Sequence, residues 1–329
     1  MDVLWFALAV LCWVLFLALE GFDFGVGMLA PVLGRDDHER GAAIRTVGPV
    51  WDGNEVWLVA AIGVTFAAFP AWYAALLSGL YLPMVLVLLA LAARGVAIEF
   101  RGKVDTPAWR RRCEVTLAVS SFLTAGLFGA VVAVATTGLA LDPAGAVVGT
   151  GLERSLAPLL SWPALAGAVL GVLAALVQGT TFLGLRTTGP VRVRAQRVAV
   201  AAAVAAAVGA AGVGVAVGGF AALFAGVIAL LAVATAVAAG WRYEGAAFAA
   251  ATLGVVGAVV AAFTAHVPVV LPSTLDPASS LTISGAAASP YALTVITVGA
   301  VLILPGVLAY QAFSYWVFRR RVASERIAA

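Results

Sequence analysis

Charged side chains are scarce in this sequence, histidine and cysteine scarcer still, and each shortage removes a class of function. Asp, Glu, Lys and Arg make up 11% of 329 residues while 63% are hydrophobic, so the chain lacks the polar surface that a water-soluble domain needs to cover itself. A soluble enzyme or binding module is excluded. The two histidines, His38 and His266, fall in a hydrated loop and at a span end, so no pair can ligate a haem within a bilayer, and Met28 and Met84 have no histidine nearby. Any redox role then depends on another chain. The two cysteines, Cys12 and Cys113, lie at opposite sides of the membrane in this reading, too far apart for a disulfide and too few for a metal framework. They are expected to be inert thiols. The net charge of +3 comes from basic residues spread over short segments, which topology explains and nucleic-acid binding does not.

What the sequence has instead is long apolar runs. Crossing about 30 Å of hydrocarbon takes about 20 apolar residues, whereas barrel strands would show runs of about 10 with strict alternation. Spans are expected near 3–30, 53–71, 76–98, 115–138, 162–185, 197–217, 220–240, 246–266 and 291–318. The fold class is all-α, a polytopic membrane protein with nine transmembrane helices, and residues 1–329 form a single integral membrane domain. With nine spans, eighteen of the nineteen Lys and Arg residues share one side, from Arg35 to Arg326, and only Arg154 falls opposite. Basic residues near span ends are retained in the cytoplasm, which puts the N-terminus outside and the C-terminus inside. The first run carries Glu20 and Asp23 and continues to Leu33, too long and too polar near its end for a cleaved signal peptide. Segments 139–161 and 267–290 are Pro-, Gly- and Ser-rich outer loops, and Gly218-Gly219 is a tight outer hairpin. Residues 199–262 are mostly Ala, Val and Gly, which can pack closely but offer little chemistry.

Chemistry concentrates in the first third. In Glu20-Gly21-Phe22-Asp23-Phe24-Gly25-Val26-Gly27 two carboxylates three apart share a helix face inside a span, where an ionised group is costly unless paired or hydrated. Either they relay protons, or both pair with inner arginines as structural anchors. They need polar neighbours that this Ala/Val-rich chain hardly supplies, which points to a partner subunit. Gly21 and Gly25, four apart, permit close helix contact. The dinucleotide-like Gly25–Ala30 pattern is spurious, because it lies within a span and not at a strand-to-helix turn. In Pro49-Val50-Trp51-Asp52-Gly53-Asn54-Glu55-Val56-Trp57 a second pair, Asp52 and Glu55, shares a face at the inner end of the next span, with Asp52 either a helix N-cap or part of a proton path. Trp51, Trp57, Trp72, Tyr73, Tyr81, Trp162, Trp241, Tyr315 and Trp316 read first as an aromatic belt at the membrane surfaces. Arg94, Glu99, Arg101 and Lys103 close the third span as an ion-pair cluster or a subunit contact.

These stretches resemble subunit II of the cytochrome bd-type quinol oxidases: Gly21–Gly27 (GFDFGVG), Pro49–Leu58 (PVWDGNEVWL), Phe66–Pro70 with Tyr73, Ser78–Tyr81, Arg94-Gly95 with Glu99–Arg101, Gln178-Gly179 and Pro272–Leu275. The resemblance covers most of the chain and thins in the Ala/Val segment. It implies two four-helix bundles plus one peripheral helix, in a bacterial cell membrane, paired with a similarly folded subunit I. That partner would carry haems b and d and oxidise quinol, while this chain stays haem-free. The complex would reduce dioxygen to water and build a proton gradient. Carried over by motif, Asp23 and Asp52 match acids associated with a cytoplasmic proton route. Glu20 stands where relatives carry aspartate, and Glu55 can be glutamine in relatives. The resemblance also leaves room for a small single-helix accessory subunit and for a bound quinone or lipid. Trp57, Arg94, Glu99 and Arg101, with Gly21 and Gly25, are the packing or interface candidates.

Intramembrane acids also suit a stand-alone proton-coupled transporter. That class favours broken helices around a midplane site, whereas here the acids sit near the inner ends.

Overall fold

The computed structural model describes residues 1–324; Arg326 lies outside the described residues. Helix α1 (Asp2–Leu33) leads through Gly34 to α2 (Asp37–Arg45), whose start is set by Asp36 accepting the Glu39 backbone N–H at 2.8 Å. Then follow α3 (Trp51–Ala68), α4 (Pro70–Gly79), α5 (Tyr81–Phe100), α6 (Pro107–Thr137), the short α7 (Gly151–Leu156), α8 (Trp162–Arg186), α9 (Gly189–Val217), α10 (Gly219–Gly240), α11 (Glu244–Thr264), the single-turn α12 (Ile283–Ala286) and α13 (Pro290–Val317).

Eight of these are long and apolar enough to cross a membrane: α1, α5, α6, α8, α9, α10, α11 and α13. The ninth expected span, α3, has 18 residues and carries Asp52, Asn54 and Glu55 near its start, so composition alone does not mark it, but it packs along α1 as a full partner.

The expected spans 53–71 and 76–98 are interrupted differently from the prediction. Pro70 has no N–H to donate and restrains the residue before it, so α3 ends at Phe69, which takes φ −136° and ψ 65°. Residues 70–79 then form α4, ten residues and only about 15 Å long. It cannot cross, and it packs Trp72, Ala75 and Leu76 into the core.

Helices α1, α3, α5 and α6 form one four-helix bundle and α8 to α11 a second, with α13 lying outside against α3. Helix α1 touches both bundles, and glycine makes its crossing with α8 possible. A Cβ on Gly25 would lie 1.9 Å from the Ala175 carbonyl oxygen, and one on Gly179 would lie 2.4 Å from the Gly25 backbone. The α6–α8 crossing repeats the device, with Gly129 against Gly167 and Gly171. Gly218 and Gly219, at φ +68° and +57°, form the expected hairpin.

The core runs through Trp13, Phe16, Phe69, Trp72 and Phe128. Trp57 and Trp72 therefore belong to the interior and not to the expected belt, whereas Tyr81, Trp162, Trp241 and Trp316 are exposed. At one end of the molecule, strands β1 (Thr187–Thr188) and β4 (Val322–Ala323) pair in parallel, and the arginines cluster there. At the far end, β2 (Val269–Leu271) and β3 (Leu281–Thr282) pair antiparallel, and Leu139 bridges to Ser273. Arg154 sits at that far end, on α7.

Candidate functional site

Near the basic end of the first bundle, three helices bring polar side chains together in an apolar interior. Glu20 and Asp23 come from α1, Asn54 and Glu55 from α3, and Arg94 from α5; Glu20, Asp23, Asn54 and Arg94 are all at most 1% exposed. The 3.6-residue period explains the placement on α1, since residues three apart stack on one face. Arg94 Nη1 donates to Glu20 Oε1 and lies 3.8 Å from Glu55 Oε2. Its guanidinium is 5.0 Å from the ring centre of Phe24 and 5.9 Å from that of Trp51, so two aromatic faces hold its plane. Asn54 Nδ2 donates to Asp23 Oδ2 at 2.7 Å.

This overturns one expectation. The polar neighbours that Glu20 and Asp23 require come from this chain itself, Arg94 and Asn54, because residues 74 and 31 positions away along the sequence meet them in space. Arg94 and Asn54 engage one oxygen of each acid, and Glu20 Oε2 and Asp23 Oδ1 stay without a partner among the described residues.

Glu20 and Glu55 lie within 4 Å of one guanidinium while Asp23 beside them has only the neutral Asn54, so ionising all three carboxyls would leave an excess of negative charge in an apolar setting. Holding protons is the direct way to charge balance. Glu20 Oε2, Asp23 Oδ1 and Glu55 Oε2 each lack a hydrogen-bond donor among the described residues. Glu20 and Asp23 share one face of α1, so a proton held on either carboxyl adds a donor to a cluster that has spare acceptor oxygens.

Asp52 stands apart. It lies exposed in the first turn of α3, and the N-cap position belongs to Val50, with no side chain capping the helix. Of the two readings of Asp52 the helix cap is therefore absent, and the Asp52–Glu55 face splits: Glu55 turns to Arg94, and Asp52 faces outward at the basic end. Trp57 is buried. Glu99 accepts from Trp51 Nε1 at 3.4 Å, and Arg101 bridges Glu114 (2.7 Å) and Asp37 (2.6 Å). The expected Arg94–Arg101 cluster thus divides, Arg94 joining the buried acids and Arg101 binding α2 to α6. Gly21 and Gly25 face α8 of the same chain: a Cβ on Gly21 would meet Gln178 Oε1 at 2.0 Å, and Gln178 Nε2 donates to the Ala18 carbonyl at 3.0 Å.

A second set of ion pairs fixes the basic end. Glu39 pairs with Arg194, Glu114 with Arg40 and Arg101, and Glu244 with Arg192 and Arg321. Hydrogen bonds from Arg194 and from the Arg35 backbone hold the Glu39 carboxyl down at about 2. Sequence reasoning missed Asn54, Gln311 and Gln178 as site residues; an amide inside an apolar span was the available signal.

The Ala/Val-rich second bundle encloses space as well as packing closely. A cavity of about 380 Å³ lies between α1, α6 and α8 to α11, bounded by Gly21, Phe128, Gln178, Ala206, Thr235 and Ala262 among others. Its lining is apolar, because small side chains leave the volume unfilled. The two histidines fall at opposite ends, His38 on α2 and His266 beyond α11, so they do not fit as a pair of haem ligands. Cys12 and Cys113 are both free.

Comparison with known proteins agrees over the whole length. The chain is 36% identical over 330 residues to the cytochrome bd ubiquinol oxidase subunit 2 of Bacillus subtilis, covering 97% of this chain and 96% of that one. It is 31% identical over 370 residues to the cytochrome bd-I ubiquinol oxidase subunit 2 of Escherichia coli, covering 98% and 96%. Its fold matches a chain of the bd oxidase from Geobacillus thermodenitrificans with a TM-score of 0.67 at 18% identity, over 96% of this chain and 98% of that one. The family described as cytochrome bd terminal oxidase subunit II matches residues 1–318. The chain, with eight membrane-crossing helices among its described residues, α3 packed beside them and buried acids on α1, belongs to the cytochrome bd terminal oxidase subunit II family.

Proposed function

We propose that this chain is the haem-free half of a quinol:O2 oxidoreductase, pairing with a haem-bearing subunit I and passing cytoplasmic protons towards it. The observation that carries this reading is the cluster of buried Glu20 and Asp23 with the half-buried Glu55, in which Arg94 pairs with Glu20 and Glu55 and Asp23 is held by Asn54. An intramembrane acid group with spare oxygens and an excess of carboxyl over cation can take up and release protons. Glu55, with a quarter of its side chain exposed, and the outward Asp52 mark the route from the basic end to Glu20 and Asp23.

In this reading the basic end is cytoplasmic, the N-terminus lies outside and the C-terminus inside a bacterial cell membrane, in keeping with the arginine distribution. Haems b and d reside on subunit I, where they supply electron transfer to dioxygen. The apolar cavity of the second bundle suits a quinone tail or a lipid chain.

The test is Asp23→Asn, nearly isosteric but unable to exchange a proton at neutral pH. Asp52→Asn is its companion. Assembly and haem content are expected to persist while quinol-driven oxygen uptake per haem falls. Full assembly with wild-type turnover in both variants would make the carboxyls structural and the relay wrong.

A further inference from the structure

Asn54 is the most completely engaged polar side chain in the buried cluster. Its Nδ2 donates to Asp23 Oδ2 at 2.7 Å and reaches the Leu19 carbonyl at 3.4 Å. Its Oδ1 accepts from the Tyr315 hydroxyl at 2.7 Å and from Gln311 Nε2 at 3.0 Å. A carboxamide has two donor hydrogens and two acceptor sites, and all four are used. Rotating the amide by half a turn would set Oδ1 against the Leu19 carbonyl oxygen, which cannot donate, so α1 fixes which way the amide faces while Tyr315 and Gln311 on α13 hold its Oδ1 in place.

Gln311 and Tyr315 are four residues apart and share one face of α13. That helix is, with α10, the least buried of the long ones, and its packing partner is α3. Hydrogen bonds set its register instead. Near the far end Trp5 Nε1 donates to Thr297 Oγ1 at 3.0 Å, and beyond its last turn the Phe318 carbonyl accepts from Arg186 while β4 pairs with β1. Tyr315 is thereby delivered to Asn54 by contacts at both ends of a helix that otherwise lies at the periphery.

We infer that Asn54 is a positioning residue for Asp23, oriented by Gln311 and Tyr315, so that the Asp23 carboxyl is held through Oδ2 and presents Oδ1 towards proton exchange with Glu20. This deepens the proton-delivery reading and rests on it. The peripheral helix α13 then acts on the buried acid through a single amide.

The experiment uses the assembled oxidase complex. Tyr315→Phe deletes one hydrogen bond and keeps the ring, and Asn54→Leu deletes the link. The Asp23 carboxyl stretching band, identified by its loss in Asp23→Asn, is recorded by infrared difference spectroscopy, and oxygen uptake per haem is measured in parallel. Tyr315→Phe is expected to shift the band and to slow turnover about two- to tenfold, the range of one net hydrogen bond. It should add nothing in the Asp23→Asn background, because its effect passes through that residue. An unmoved band, or a full multiplicative loss on top of Asp23→Asn, overturns the inference. If Asn54→Leu fails to assemble, Tyr315→Phe alone decides. If Asp23→Asn keeps full turnover, the proton reading falls by itself; the band then settles the positioning, a shift supporting it and an unmoved band refuting it.

Discussion

Replacing Arg94 by methionine tests whether the buried cluster is organised around its charge. Arg94 is fully buried, bonded to Glu20, within 3.8 Å of Glu55, and held between Phe24 and Trp51. Methionine keeps a long flexible chain against those rings but removes the cation that Glu20 and Glu55 face. Breaking a buried pair by removing one partner costs about 3–5 kcal/mol. A loss of this size lowers the folded-to-unfolded ratio by about two to three and a half powers of ten.

Adding Glu20→Gln to Arg94→Met removes the orphaned charge, and replacing both members of a buried pair is often nearly neutral. The double variant should therefore recover most of the lost stability. Arg94→Lys should fall between, since an ammonium keeps the charge but has no plane to lie over Phe24. The assay is thermal unfolding of the purified complex in detergent, with membrane expression as a second measure. A double variant no more stable than Arg94→Met would refute the reasoning, because the damage would then come from lost packing and not from unpaired charge.

Three further outcomes follow from the geometry. Gly25→Ala places a methyl where the Ala175 carbonyl stands 1.9 Å away, so α1 and α8 must separate at a cost of about 1–3 kcal/mol or more; Gly63→Ala, with nothing within 4 Å, should be harmless in the same unfolding assay. The Glu39 carboxyl titrates at about 2 in the folded chain, below its ordinary value of 4.5, so the stability from its pair with Arg194 is present above about pH 4.5 and fades as pH falls towards 2. Glu39→Gln should lose its disadvantage against the wild type over that window, and a gap constant with pH would contradict the linkage. A cysteine replacing the exposed Ala278 should be labelled from outside the cell by an impermeant thiol reagent, while a C-terminal reporter should be active only in the cytoplasm; the reverse pattern at both would invert the orientation.

Helix existence and the location of the acid pairs were legible in the sequence, because hydropathy and the cost of burying charge act locally. What was not legible depended on contacts between distant segments. Nothing near Glu20 announces that its partner is Arg94, and reading the α1 neighbourhood alone led to the mistaken expectation that another chain must supply it. Asn54 lay inside a quoted motif yet carried no formal charge to draw notice. Hydropathy also cannot tell which face of a span points inward, which is why Trp57 and Trp72 were assigned to a belt and are found in the core. The Pro70 break was visible as a residue, but its consequence, a separate α4, depended on Trp72 finding buried space. The division into two bundles came from the resemblance and not from any pattern in the residues.

The GFDFGVG segment joins two requirements that the sequence presents as separate. Gly21 and Gly25 face α8, one accommodating Gln178 and the other the Ala175 carbonyl and Gly179, so they set how closely the second bundle approaches α1. Glu20 and Asp23, within the same turn, face α5 and α3 and carry the buried charge. A helix gives these faces a fixed angular relation, so any change in the α1–α8 crossing also moves the carboxyls relative to Arg94 and Asn54. Away from its basic end the second bundle has little polar chemistry of its own, and its small side chains are what allow that approach, since lipid provides no hydrophobic drive to bring helices together and association depends on close packing. The chemically bland bundle thus acts on the acids by setting where α1 stands.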